Sequence, residues 1–454
     1  MEETKQPSGN CSKLSDREQN MGSIDRLSSL PDEVICHILS FMSTKRSVAT
    51  SVLGRSWRFI WAHVPYLNFN GDDFHFRKEE TQVLDIIHRV ILQHKAKRMD
   101  TLILCDLNCN EYQLETWITT SIRNLYLQLK FDTIPRSLFI SKNIVVLKLG
   151  VSCNSRVSLS AMDNVSLPSL KKFHAFRVVC ENDDALPHFL SGCPSLVELI
   201  LEFIFVEKDD YVGCINISSP TIKMLHLIPL VAFGSTVEYR VIINSPALRY
   251  LKVDGYDLKW ITIPITMTSL VEANIRLKYY KFSNLETNYN STVVKFLRSL
   301  PCVKCLKISG RVFKKFGRRG LGSNVKFDNL TKLELQFNFK WSLLVKFLQV
   351  ADNLQVLICS RRVYFEEGYL FPESEQVPKC LLSCLRTITF KSMRFSEYEF
   401  DMVRYLLRNS RVLERMETFS SPYDIFIGRE TRLQAFKRIS LFERGSNACQ
   451  LTFH

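Results

Sequence analysis

At 454 residues, with 46% hydrophobic and 23% charged side chains, the chain can bury a large core divided among two or three domains. Its net charge of +14 favours acidic surfaces as partners, but the basic residues are spread out except for one cluster at Arg311–Arg319. No apolar run reaches the roughly 20 residues of a membrane span, and the polar segment Met1–Gly22 lacks a leader-like stretch, so neither a membrane helix nor a secretory signal is expected.

Residues 1–23 read as a disordered N-terminus. Across 24–69 the apolar side chains then fall at helical spacing and predict three short helices. Pro31 sits in a first turn, where a missing N–H costs nothing, and Asp32 and Glu33 suit the positive helix start. Val34, Ile38, Phe41 and Met42 form a stripe that Ile35 and Leu39 widen. Val48 and Val52 continue it, and Leu53, Trp57, Ile60 and Trp61 mark a third helical face. A segment this short cannot bury so many large side chains alone. It either docks on the rest of the chain or hands an apolar face to a partner.

The pieces Leu30-Pro31-Asp32-Glu33-Val34, Ile38-Leu39-Ser40-Phe41, Ser51-Val52-Leu53 and Trp57-Arg58 with Trp61 resemble an F-box. That resemblance implies docking on a Skp-type adaptor and, through it, a cullin. The residues it nominates for the adaptor are Leu30, Pro31, Val34, Ile38, Leu39, Val48, Val52, Leu53, Trp57 and Trp61. The run Gly54-Arg55-Ser56 before Trp57 departs from the plant pattern: Ser56 removes one positive charge, and Gly54 costs up to about 1 kcal/mol of helix propensity.

Next, Gly71-Asp72-Asp73 reads as a linker leading to a helix over Thr81–Lys95, with Val83, Leu84, Ile87, Val90 and Ile91 on one face. Residues 70–98 are thus a linker and a helix that caps the first repeat. From residue 99 to 376 the chain repeats. The pattern L-x-x-L-x-L starts at Ile144, Leu170, Leu196, Ile222 and Leu248, each 26 residues after the last, and looser copies start at Met99, Ile122, Leu270, Val303, Leu330, Leu354 and Leu385. This period and consensus resemble leucine-rich repeats: one short parallel strand per unit, apolar positions stacked into a continuous core, and helical or irregular return segments. Asp184 is the expected cap of a helix over Ala185–Ser191, with Gly192 as its stop, and Ser291 precedes a similar run. The asparagine or cysteine expected eight residues into each unit is replaced by Ser152, Val178, Ile204, Leu230 and Tyr256, which predicts irregular convex turns. Insertions break the period between Leu270 and Val303 and across Arg361–Gln376.

Residues 377–454 change character. A strand, a loop and then a helix begin with the capping box Ser396–Glu399 and the stripe Phe400, Val403, Leu406 and Leu407. This region resembles the FBD segment of plant F-box/leucine-rich-repeat proteins, and its expected role is to close the far solenoid end. The reading is an α/β chain: a three-helix F-box, an irregular leucine-rich-repeat solenoid, and an α+β FBD-like cap that includes the last repeat.

No catalytic motif is present. Gly320-Leu-Gly322 lacks the third glycine of a phosphate-binding fingerprint, and the nine histidines and fourteen cysteines show no metal-ligand spacing. A lone Cys302-x-x-Cys305 has no second pair, and scattered cysteines of this kind read as small buried residues in a reducing compartment. No cofactor and no metal are expected. Two phenylalanines interleave with the basic run at 311–319, but a solvated loop or nuclear-import patch accounts for it better than nucleic acid does. On a strand of the repeat, residues two, four and six places after the first leucine point out of the core. The middle column reads Lys148, His174, Ile200, His226, Lys252, Asn274, Lys307 and Glu334, flanked by Lys172, Glu198, Tyr250, Phe176, Asp254 and Arg276. Lys148, His174, Ile200, His226, Lys252 and Lys307 are the candidate contacts to a target protein. The family resemblance implies a non-catalytic substrate receptor of a ubiquitin ligase, in the nucleus or cytoplasm. The alternative is a free-standing repeat scaffold that joins no ligase.

Overall fold

A computed structural model describes residues 26–74, 80–96, 99–118, 122–129, 134–151, 156–159, 164–180, 182–204, 213–230, 239–255, 258, 260–277, 289–310, 325–336, 341–360, 376–420 and 429–454. The N-terminal segment 1–23, the basic run 311–319, the Gly320–Gly322 pair, ladder positions Ser152 and Tyr256, and residues 361–375 of the insertion lie outside them.

The N-terminal module has two α-helices, α1 (Asp32–Leu39) and α2 (Thr44–Ala49). Pro31 occupies the N-cap of α1, and Asp32 and Glu33 fill its first turn, where the helix dipole favours acids. The third helix predicted from the sequence does not form. In its place are 3-10 turns at Thr50–Val52 and Ile60–His63, separated by a run of turns. Gly54 and Ser56, both exposed in that run, supply neither propensity nor a packed side chain to propagate a helix. The module has its own core of Ile35, Leu39, Trp57, Ile60, Trp61, Ala62 and Val64.

The module does not end in a linker. Strand β1 (Tyr66–Asn70) pairs in parallel with β2 (Met99–Leu107), Leu67 opposite Leu102, and is the first strand of the large sheet. Gly71 is buried against β2: a Cβ on it would lie 2.4 Å from the Asp106 carbonyl oxygen. Helix α3 (Glu80–Gln93) is the return segment between β1 and β2, and its Val90 packs against both cores. The N-terminal module itself covers the outer edge of β1. The Asn68 N–H donates to Thr44 Oγ1 at 2.7 Å, the Lys95 N–H to the Ala62 carbonyl at 2.7 Å, and the Lys45 ammonium to the Asp73 carbonyl. An edge strand presents unpaired backbone groups, and here the module satisfies one of them with a side chain. Thr44 is 3% exposed. Thr44→Val is isosteric but leaves the Asn68 N–H without that acceptor, so a loss of about 1–3 kcal/mol is expected in urea unfolding. An unchanged unfolding midpoint would show that the junction is not held this way.

Among the described residues, fifteen strands follow one another in chain order and pair in parallel, from Tyr66–Asn70 to Gln450–Phe453, and a short strand at Val157–Ser158 joins Lys172–Val179. The strands Val146–Val151, Lys172–Val179, Glu198–Ile204, Met224–Leu230 and Tyr250–Gly255 keep the repeat period to the residue. Their inward column, Leu147, Phe173, Leu199, Leu225 and Leu251, is in register and fully buried at 0% exposure. It continues through Ala273, Leu306, Leu333, Leu357 and Ile388. Such stacking makes one core out of units that could not bury their own apolar faces.

One residue before the place where the regular family would put an asparagine, three strands bulge. Asp106, Arg177 and Ser392 have φ of 53°, 59° and 60°, and the pairing register slips at each. Gly310 takes the same place in its unit with φ 118°, where a Cβ would lie 1.9 Å from the Leu277 carbonyl oxygen. A left-handed residue turns the chain out of the sheet without a side-chain ladder.

The return segments are more varied than the repeat pattern predicts. Ala185–Ser191 is helical as predicted, but Asp184 makes no side-chain cap bond. Gly192 is not left-handed; it is needed for space, since a Cβ would lie 2.3 Å from the Val165 carbonyl oxygen. Three units return instead through strands Gly213–Ser218, Tyr239–Asn244 and Ile261–Thr262, which form a second parallel sheet. Their alternating β-branched residues, Ile215 and Ile217, Val241 and Ile243, are buried. Helices resume at Tyr289–Arg298 and Trp341–Gln349.

The C-terminal region continues the sheet with three strands rather than one: Thr387–Met393, Arg415–Ser420 and Gln450–Phe453. Helix Glu397–Asn409 carries the predicted capping box. Glu399 Oε2 accepts the Ser396 N–H at 3.1 Å, and Ser396 Oγ accepts the Glu399 N–H at 3.4 Å.

Candidate functional site

The apolar side chains of the N-terminal module separate into two sets. Leu39, Trp57 and Trp61 are 1%, 5% and 6% exposed and belong to the module's own core, with the Trp57 indole N–H donating to Ser28 Oγ at 2.7 Å. Of the residues nominated for the adaptor, these three therefore present the least surface in the free chain. Leu30 and Val48 are half-buried, and Pro31 is exposed. Val34, Ile38, Val52 and Leu53 face solvent, at 42%, 41%, 87% and 65% exposure, and the same is true of Phe41 and Phe59. Val34 and Ile38 are one helical turn apart on α1. Phe41 was visible in the helical stripe, whereas Phe59 falls outside any i,i+4 series because its segment is a turn. Arg58 and Lys95 both lie over the Phe59 ring, at 5.4 and 5.6 Å.

The second surface is the solvent-facing side of the sheet. Lys148, His174, Ile200, His226, Lys252, Asn274, Lys307 and Glu334 stand opposite one another on successive strands, as one continuous column. Spacing along the chain does not reveal what holds these cations. Lys172 and His174 both reach Glu198, at 2.8 and 2.7 Å. His226, Lys252 and Arg276 converge on Asp254, at 3.0, 3.3 and 3.5 Å, Lys307 pairs with Glu334 at 2.8 Å, and Lys148 lies 4.5 Å over the Tyr126 ring. The face is therefore charge-compensated from within rather than uniformly basic.

These contacts tune the titrating groups. Burial pulls the Glu198 carboxyl upward, but hydrogen bonds from Lys172 and His174 outweigh it and leave it below its ordinary value. Asp254 behaves alike: burial is outweighed by the hydrogen bond from His226 and the charges of Lys252 and Arg276. Burial depresses His174, with Glu198 opposing it. A neutral His174 that donates Nε2–H to Glu198 fits both shifts. Signals for these acids existed in the flanking columns, at Glu198 and Asp254, but pairing across strands cannot be read from spacing along one strand.

Among the described residues no three histidine, cysteine or acidic side chains converge as a metal-ligating group. The described cysteines are free thiols, and burial pushes those of Cys193 and Cys380 up to about 12. At such values they are not nucleophiles. No described helix is long and apolar enough to cross a membrane.

The same three segments match known families. An F-box domain model matches residues 27–68, a model of the leucine-rich repeats of FBD-associated F-box protein At5g56370 matches 119–269, and an FBD model matches 373–417. Relatives from Arabidopsis thaliana align over nearly the whole length. FBD-associated F-box protein At4g10400 is 28% identical, covering 95% of this chain and 100% of its own. F-box/FBD/LRR-repeat protein At3g52680 is also 28% identical, covering 94% and 93%.

Proposed function

We propose that this chain, an F-box/leucine-rich-repeat protein with a C-terminal FBD region, is the substrate-recognition subunit of a Skp–cullin–F-box ubiquitin ligase. The F-box docks on a Skp-type adaptor and the sheet face holds a target protein. One observation carries this reading. Val34, Ile38, Phe41, Val52, Leu53 and Phe59 remain in solvent although the module has a packed core and a sealed junction with the sheet. Large apolar residues concentrated on so small a module mark a protein interface. The chain itself performs no chemistry. It contributes proximity, presenting a bound target to the catalytic subunits. Because the first sheet strand is continuous with the F-box, the target is carried on the body that grips the adaptor.

The test is reconstitution. The full chain, co-expressed with a Skp-type adaptor and a cullin, should co-elute with both as one complex. Elution of the chain away from the adaptor would favour the free-standing scaffold instead.

A further inference from the structure

Building on the sheet face as the target surface, we propose that its centre is a subsite for a carboxylate side chain lying two residues from an aliphatic one in an extended segment of the target. The basis is the arrangement around Asp254. This acid is 7% exposed, and donors from three consecutive strands converge on it. His226 Nε2 and Lys252 Nζ approach Oδ2 at 3.0 and 3.3 Å, while Arg276 Nε stands 3.5 Å from Oδ1, which accepts no hydrogen bond. Two permanent cations thus face one anion, leaving a single positive charge in surplus. The Arg276 and Lys252 side chains stay 45% and 23% exposed, so that surplus is within reach of a ligand. One carboxylate would neutralise it; a doubly charged phosphate would not.

The neighbouring strands supply the apolar half. Ile200 stands opposite His226, and Met224 and Ile228 flank it on its own strand, all three partly exposed. From Ile200 or Ile228 to the Lys252–Arg276 pair is one to three strand spacings of roughly 4.8 Å each. Residues i and i+2 of an extended segment lie roughly 7 Å apart on one face, which spans the shorter of these gaps. The register is guarded on both sides. Lys307 is already occupied by Glu334, and Glu202, opposite Ile228, would repel an acid placed one position too far.

The experiment is a selection of random-peptide display libraries on the full chain. The expected result is enrichment of Asp or Glu two positions from Leu, Ile or Val. A synthetic peptide from the winners should bind the Lys252→Gln/Arg276→Gln variant roughly tenfold more weakly than wild type. The Lys379→Gln variant, whose exposed cation lies on a return helix off the sheet face and pairs with Asp352, should bind it like wild type. All three positions are exposed or partly exposed, and a melting curve matching wild type confirms that each variant is folded. Winners without acidic residues, or winners that bind the double variant equally well, overturn the proposal. So does release of the winners by inorganic phosphate more readily than by free glutamate, which would move the site to phosphate chemistry. Adaptor capture is scored in the same preparations. Its loss sinks the ligase reading while leaving the peptide result to stand or fall alone.

Discussion

Val52→Asp together with Leu53→Asp is expected to abolish capture by the adaptor while leaving the chain folded. Both residues protrude, at 87% and 65% exposure, so charge there costs the free protein little. In an interface the same carboxylates would be desolvated without partners. Losing even one well-packed apolar anchor costs about 2 kcal/mol, or roughly thirtyfold in affinity, and two buried charges add to that. Trp57→Ala should behave in the opposite sense. Trp57 is 5% exposed and packs with Ile35, Leu39 and Trp61, so truncation should remove about 3–5 kcal/mol of stability. Any loss of adaptor binding would then follow from unfolding of the module. Pull-down and thermal melts on the two variants separate the cases. A double-aspartate variant that still binds the adaptor with wild-type affinity would place the contact on another face.

Leu225→Asp should have the largest effect of any single change in the sheet. Leu225 is 0% exposed, with Leu199 and Leu251 in register on either side. An aspartate there has no cation or donor within the column and must either stay buried or drive the strands apart. The penalty exceeds several kcal/mol, a large share of the stability of a whole domain. Because repeat stability is a sum of neighbour interfaces, the damage should spread through the adjoining units. Circular dichroism and limited proteolysis should show early melting and cleavage between about residues 190 and 260. A wild-type melt would disprove the register.

The repeat is legible in the sequence because its signal is one-dimensional. A leucine or isoleucine every 26 residues, with proline two places upstream in four of the five units, specifies both the strands and their stacking. The column from Leu147 to Leu251 and the solvent column from Lys148 to Glu334 come directly from it, since side chains alternate along a strand. The capping box at Ser396 and Glu399 is equally local. The outer strands at Tyr66–Asn70, Arg415–Ser420 and Gln450–Phe453 are less legible because their consensus is diluted: Val64, Met416 and Ala448 stand where leucines would announce a unit.

What the sequence determined by itself is thus the periodic part of this protein: the parallel sheet, its buried column and the helical stripe of the N-terminal module. What only the tertiary structure decided is which of two chemically similar groups turns inward and which pairs with which. Trp57 and Val52 are both large apolar residues in one short segment, yet one is core and the other surface, because turns replaced the expected third helix. Lys252 and Lys307 are equivalent in the repeat, yet one shares Asp254 with two other donors and the other holds Glu334 alone. Spacing fixes direction along a strand; the partners that neutralise a charge or cover an edge arrive from neighbouring strands, set by register and packing that no local pattern encodes.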